Sequence, residues 1–179
     1  MRRKTPLDPD DIEKIYDQIE GENDRAAIIV AGAWLETSLE MMIRSHLRAP
    51  TKTEQPFLFG EKGIAGTFSD KIWLAYFMKL IGPSTKRDLD LIRNIRNDAA
   101  HEFLPVSFAH ETIAGRCRAI EFSKTLKGQP DLSLRRAFLA TIKFLTAALV
   151  ARAAFVPRVA DRGTELEELM ARYTACLDR

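Results

Sequence analysis

Cysteine is scarce in this 179-residue chain: Cys117 and Cys176 stand far apart, without metal-type spacing. That argues against a disulfide-stapled scaffold or a zinc finger, leaves a single Cys117–Cys176 disulfide open, and fits a reducing cytoplasm. Histidine is nearly as rare, with three residues. His46, His101 and His110 have no Cys or His partner at ligand spacing, so no metal and no cofactor is expected. Gly60, Gly63 and Gly66 lack the Lys-Ser/Thr ending of a phosphate-cradling loop and follow no strand. Charge of one sign is missing too: 27 Lys and Arg against 25 Asp and Glu leave +2, so a globally basic nucleic-acid binder is not indicated. The most apolar run, 137–156, is interrupted by Lys143 and Arg152 and reads as a buried helix instead of a membrane span. Met1-Arg2-Arg3-Lys4 leads into an acidic segment, unlike the apolar core of a signal peptide. Alternating apolar residues of strand length are absent, as are internal repeats.

What is present is the composition of an ordinary soluble globular protein, 46% hydrophobic and 29% charged. Its length fits a single domain over residues 1–179, able to bury roughly 70% of its unfolded surface.

The apolar spacing predicts an all-α bundle of six or seven helices. Asp8-Pro9-Asp10-Asp11 starts the first, with Asp8 as cap, and Gly21 ends it after Glu20. The acids from Asp8 to Asp24 face only Lys14, a solvated surface that would repel a phosphate backbone. Asn23 or Asp24 opens a second helix to about Arg48, with an apolar band of Ala26, Ile29, Val30, Ala33, Leu39, Met42, Ile43 and Leu47. Its small residues Ala31, Gly32 and Ala33 would let another helix approach closely, as in the centre of a bundle. Residues 51–67 read as a long irregular connection with Phe57, Leu58 and Phe59 tucked inward. Thr67 or Ser69 caps a third helix, Asp70–Leu80; Gly82-Pro83 breaks it, and Ser84 or Thr85 starts the next. Further helices are expected over His110–Lys127, Leu134–Val156 and from the Thr164-x-x-Glu167 capping box to Cys176, with a turn at Gly128–Asp131 and Asp131 or Ser133 as cap.

The stretch Arg87–His101 carries the most unusual pattern. Leu89, Ile92, Ile95 and Ala99 form a core stripe, yet Arg93, Arg96, Asn97 and His101 crowd the same helix. Asn97 and His101 lie four apart and face together, whereas Arg96 sits about 140° from His101 on a regular helix. Arg96-Asn97-x-x-x-His101 resembles the Arg-x4-His motif of the HEPN superfamily of helical nucleotide-binding and ribonuclease domains. With Leu58-Phe59-Gly60 and Gly66-Thr67-Phe68-Ser69-x-Lys71-Ile72-x-Leu74-Ala75-Tyr76, the chain resembles one branch, the mannitol operon repressor (MltR-like) family of bacterial regulators. The likeness is dense from Leu58 to His101, weaker over Asp24–Leu47, and absent after His110.

That resemblance implies a homodimer and a cytoplasmic regulator of carbohydrate uptake genes that works through protein contacts. The phosphocarrier protein of the sugar phosphotransferase system is its implied partner. The alternative it implies is a metal-independent ribonuclease, possibly a toxin. Arg96 and His101 from two subunits would then cleave RNA, histidine acting as base or acid and arginine stabilising phosphate charge. Read as architecture, Arg96 and His101 pin the helix, with Asp98 a local partner and Glu36 or Glu40 as buried counter-charges.

Two further patterns invite a nucleic-acid reading. Asp70–Leu80, Gly82-Pro83 and Ser84–His101 have helix-turn-helix spacing. The would-be reading helix mixes Asp88, Asp90 and Asp98 with Lys86, Arg87 and Arg93, and its apolar stripe belongs to a core, so a plain αα-hairpin without DNA contact is expected. The basic tract Arg116, Arg118, Lys124, Lys127, Arg135 and Arg136 has no interleaved aromatic ladder and reads equally as a solvated face.

Overall fold

The computed structural model describes residues 9–103, 105–122 and 132–155. These form seven helices and no strand: α1 Pro9–Glu20, α2 Asp24–Ser45, α3 Gln55–Phe59, α4 Phe68–Phe77, α5 Pro83–His101, α6 Glu111–Ala119 and α7 Leu134–Phe155. The Asp8 cap, the turn at 128–131, the 164–176 helix and Cys176 lie outside the described residues.

α2 is the axis. It packs against α1, α4, α5 and α7, and its longest contact is with α7. Both helices are long and apolar enough to cross a membrane by composition, yet half of each apolar window is buried inside the protein. One contiguous core joins Leu35, Leu39 and Ile43 of α2, Ile72 of α4, Ile92 and Ile95 of α5, and Phe138 and Ile142 of α7. The C-terminal half of α2 buries Leu39, Met42 and Ile43 as expected, but in its N-terminal half the buried face is rotated. Ala27, Ile28, Ala31 and Leu35 are buried, whereas Val30 and Ala33 are exposed. The helix is apolar nearly all round, so its neighbours decide which stripe goes inward.

Several boundaries differ from expectation for visible reasons. α2 begins where Asn23 accepts the Ala26 amide at 3.0 Å, but stops at Ser45 instead of Arg48. There the Ser45 hydroxyl donates to the Met42 carbonyl at 2.7 Å and His46 Nδ1 lies 2.8 Å from the same oxygen, which competes with the backbone ladder. The 51–67 connection contains the short α3, and Phe57 in it is 69% exposed instead of tucked in. Phe59 does pack, under the Arg44 guanidinium at 3.8 Å. A capping box between Thr67 and Asp70 starts α4 at Phe68. Its end is a Schellman closure, with the Leu80 amide on the Ala75 carbonyl at 2.9 Å and Lys79 in the left-handed region at φ 58°.

α5 starts one residue early, at Pro83, where proline's missing N–H costs nothing. α6 is shorter than the expected His110–Lys127, because Ile120 turns extended and sinks fully into the core. The buried carboxylate of Asp88 then accepts the amides of Glu121 at 2.8 Å and Phe122 at 3.3 Å. Asp88 therefore does not belong to a DNA-reading surface. In α7 the Arg136 amide reaches Ser133 Oγ at 3.3 Å, and Phe138, Leu139, Ile142, Leu145 and Leu149 are buried.

Candidate functional site

The polar residues of α5 meet those of α2 and α4 in a ladder of alternating charge. Arg96 Nη2 donates to Glu36 Oε2 at 2.7 Å. Lys71 Nζ lies 2.7 Å from the other Glu36 oxygen and 3.2 Å from Glu40 Oε2. Glu40 in turn pairs with Arg44 at 2.7 Å, and Arg44 reaches Gln55 Oε1 at 2.7 Å. Four helices, α2, α3, α4 and α5, are tied by one network, with three cations against two carboxylates.

Local sequence puts each partner in place. Glu36 and Glu40 are one turn apart, so both carboxylates present toward α4. Lys71 follows the buried Phe68 and precedes the buried Ile72 and Ala75, which carries its stem into the core; the residue is only 6% exposed. A buried ammonium is tolerated because two carboxylates compensate it. Gly32 admits Arg96, since a methyl at Gly32 would sit 2.9 Å from Arg96 Cγ. The Phe68 ring lies 5.9 Å from the same guanidinium.

The structure does not gather the motif residues around one point. Arg96 turns to Glu36, with a second bond of 3.2 Å to Asn97 Oδ1. His101 is the last residue of α5; it is exposed and makes no hydrogen bond or ion pair among the described residues. Asp98 pairs with Arg116 of α6 and with neither motif residue. Arg93 holds Ser69 Oγ at 2.7 Å and Asp90 at 3.1 Å. The basic tract is dispersed as well: Arg135 caps the α1 end through the carbonyls of Ile19, Glu20 and Glu22 and pairs with Asp24 at 2.6 Å. Lys124 and Lys127 lie outside the described residues. No group of three or more metal-ligating side chains occurs among the described residues.

Sequence reasoning overlooked Lys71 and Arg44 as members of the ladder. For Lys71 a signal existed, namely a lysine set among apolar positions at helical spacing, which requires a buried partner. For Arg44 the signal was its i,i+4 spacing from Glu40 on one helix. The sequence also gave no notice of a groove of about 400 Å³ between α4 and α5, walled by Trp73 and Tyr76 and edged by Lys86 and Arg87.

Burial pushes the Cys117 thiol up to about 12, against a smaller opposing effect of Arg118. It is inert as a nucleophile.

The arrangement is that of an all-α MtlR-like helical bundle. It is similar to the X-ray structure of the MtlR–HPr complex from Escherichia coli, with a TM-score of 0.62 and 16% identity over 80% of this chain and 98% of that one. No family model matches the sequence, and no curated protein matches it. At this identity the likeness carries the fold.

Proposed function

We propose that this chain is a cytoplasmic regulator of the MtlR (mannitol repressor) type, one domain over residues 1–179, acting through protein–protein contacts and not by direct DNA binding. The observation that carries the reading is the likeness of fold to nearly the whole MtlR chain seen with HPr. HPr, as the phosphocarrier of the sugar phosphotransferase system, is therefore the first partner. The α5 stripe Leu89, Ile92, Ile95 and Ala99 is buried, so that side of the helix has nothing to offer a DNA groove. In this reading the motif is architecture: Arg96, with Glu36, Glu40 and Lys71, locks α5 to α2 and α4, while Arg93, Asn97 and Asp98 fix the flanks. A homodimer belongs to the reading, and Phe103, fully exposed just after His101, is an apolar side chain such an interface would cover.

The test is calorimetric titration of the purified chain with HPr. Binding at micromolar strength, on the order of −8 kcal/mol, is expected. No binding by folded protein at about a hundred times that concentration would end the proposal.

One observation favours the second reading, a metal-independent HEPN-type ribonuclease: His101 is exposed and unpaired among the described residues. Against it, Arg96 is committed to Glu36. RNA cleavage in EDTA that both Arg96→Ala and His101→Ala abolish, with fold and dimer intact, would establish it.

A further inference from the structure

Trp73 and Phe77 form an aromatic surface on α4 outside the core, joined to it through Tyr76, which is partly buried against the core. Trp73 is 44% and Phe77 72% exposed, and the two rings stack at 5.5 Å with 21° between their planes. Tyr76 meets Trp73 edge-on at 6.3 Å. Across the α4–α5 turn, Lys86 places its ammonium 3.7 Å from the Trp73 ring centre and is held there by Asp90 at 2.7 Å. Arg87 beside it is exposed and has no ion pair or hydrogen bond among the described residues. The space between them, about 400 Å³, has the size of a small-ligand site. None of the ladder residues lines it.

These features complement one kind of guest. The half-exposed indole, which already carries the Lys86 ammonium over its ring, and the partly buried phenol still offer ring surface and edges against which a flat ring can pack. Lys86 and Arg87 take an anion at its edge, Arg87 with a fork suited to phosphate or carboxylate. Asp90 does not oppose this, since Lys86 and Arg93, at 2.7 Å and 3.1 Å, already balance its charge. A neutral ring would leave Arg87 unused, and a bare phosphate would leave the aromatic wall wet.

We propose that the α4–α5 groove binds a small planar anion, an aromatic ring bearing a phosphate or carboxylate. Ring and anion both contribute, so each half of such a ligand binds worse than the whole. The site is independent of the protein-contact reading.

The experiment is calorimetric titration of the full chain with adenosine monophosphate and phenyl phosphate, beside adenosine and inorganic phosphate alone. Saturable binding of one or both ring phosphates is expected, with each isolated half weaker by about tenfold or more. Arg87→Ala and Trp73→Ala should each lose about tenfold. Arg87 is on the surface, so its variant keeps the fold, and Trp73→Phe, which retains a stacking face, should recover most of the affinity. Preference for adenosine monophosphate would identify a nucleotide site; equal binding of both would identify a general aryl-phosphate site. Absence of saturable binding by either ring phosphate overturns the proposal. So does binding that Arg87→Ala and Trp73→Ala leave unchanged, which would place the ligand elsewhere and leave this face to an acidic protein partner.

Discussion

Arg96 and Glu36, sixty positions apart in the chain, meet at 2.7 Å and join the motif helix to the axis of the bundle. Glu36 also holds the buried Lys71, so one carboxylate compensates two cations.

Glu36→Ala should therefore cost more than a surface ion pair. A buried cation that loses one partner costs roughly 2–4 kcal/mol, discounted slightly here because Glu40 remains near Lys71. Adding Lys71→Met should restore much of that loss. Urea denaturation of the single and double variants checks it, and a loss within the error of a surface substitution would show the ladder to be incidental.

Gly32→Ala tests the close approach of α5. The new methyl would meet Arg96 Cγ at 2.9 Å, a crowding that costs about 1–3 kcal/mol in a packed interface. Combined with Arg96→Ala, the penalty should shrink, a coupling that a double-mutant cycle reads directly.

Lys79 offers the opposite sign. Its left-handed backbone at the α4 closure suits glycine, so Lys79→Gly should stabilise by about 0.5–1 kcal/mol after allowing for the looser unfolded chain. Thermal unfolding measures this; a lowered Tm would mean that the lysine side chain contributes more than the turn.

Glu54 is held at about 2, below its ordinary 4.5, first by the Arg48 guanidinium and then by the Thr51 amide. A depressed carboxylate stabilises the fold above its unfolded value. That contribution fades as pH falls from 4.5 toward about 2. Following the Glu54 carboxyl by NMR should give a midpoint near 2; one near 4.5 would mean the Arg48 clasp does not form in solution.

Cys117 should resist alkylation in a Cys176→Ser background at pH 8, where a thiol of about 12 is ionised on the order of one part in ten thousand. Denaturant should release it. Fast labelling of the native chain would place Cys117 outside the core.

Much of the architecture was legible in residue order. Capping at Asn23 and Thr67, the break at Gly82-Pro83 and the stripe of Leu89, Ile92, Ile95 and Ala99 are local signals within a turn or two of helix. The inward face of α2 was legible at Leu39, Met42 and Ile43 but not in its N-terminal half. That helix offers apolar residues on all sides, and the choice of Leu35 over Val30 is made by α7 and α5. The break at Ile120 was hidden for a similar reason, because it depends on Asp88 reaching two amides from more than thirty residues away.

The sequence by itself determined an all-α chain, the approximate limits of most of its helices and the concentration of polar residues on α5. Periodicity and capping act over three or four residues, and those facts need nothing more. Only the tertiary structure decided what the polar residues do. Arg96 turns to Glu36, Lys71 is buried between two carboxylates, His101 stays in the open, and Trp73 meets Lys86 across a turn. Those outcomes depend on which distant side chain arrives first at hydrogen-bond distance, and that is settled by the packing of helices against α2.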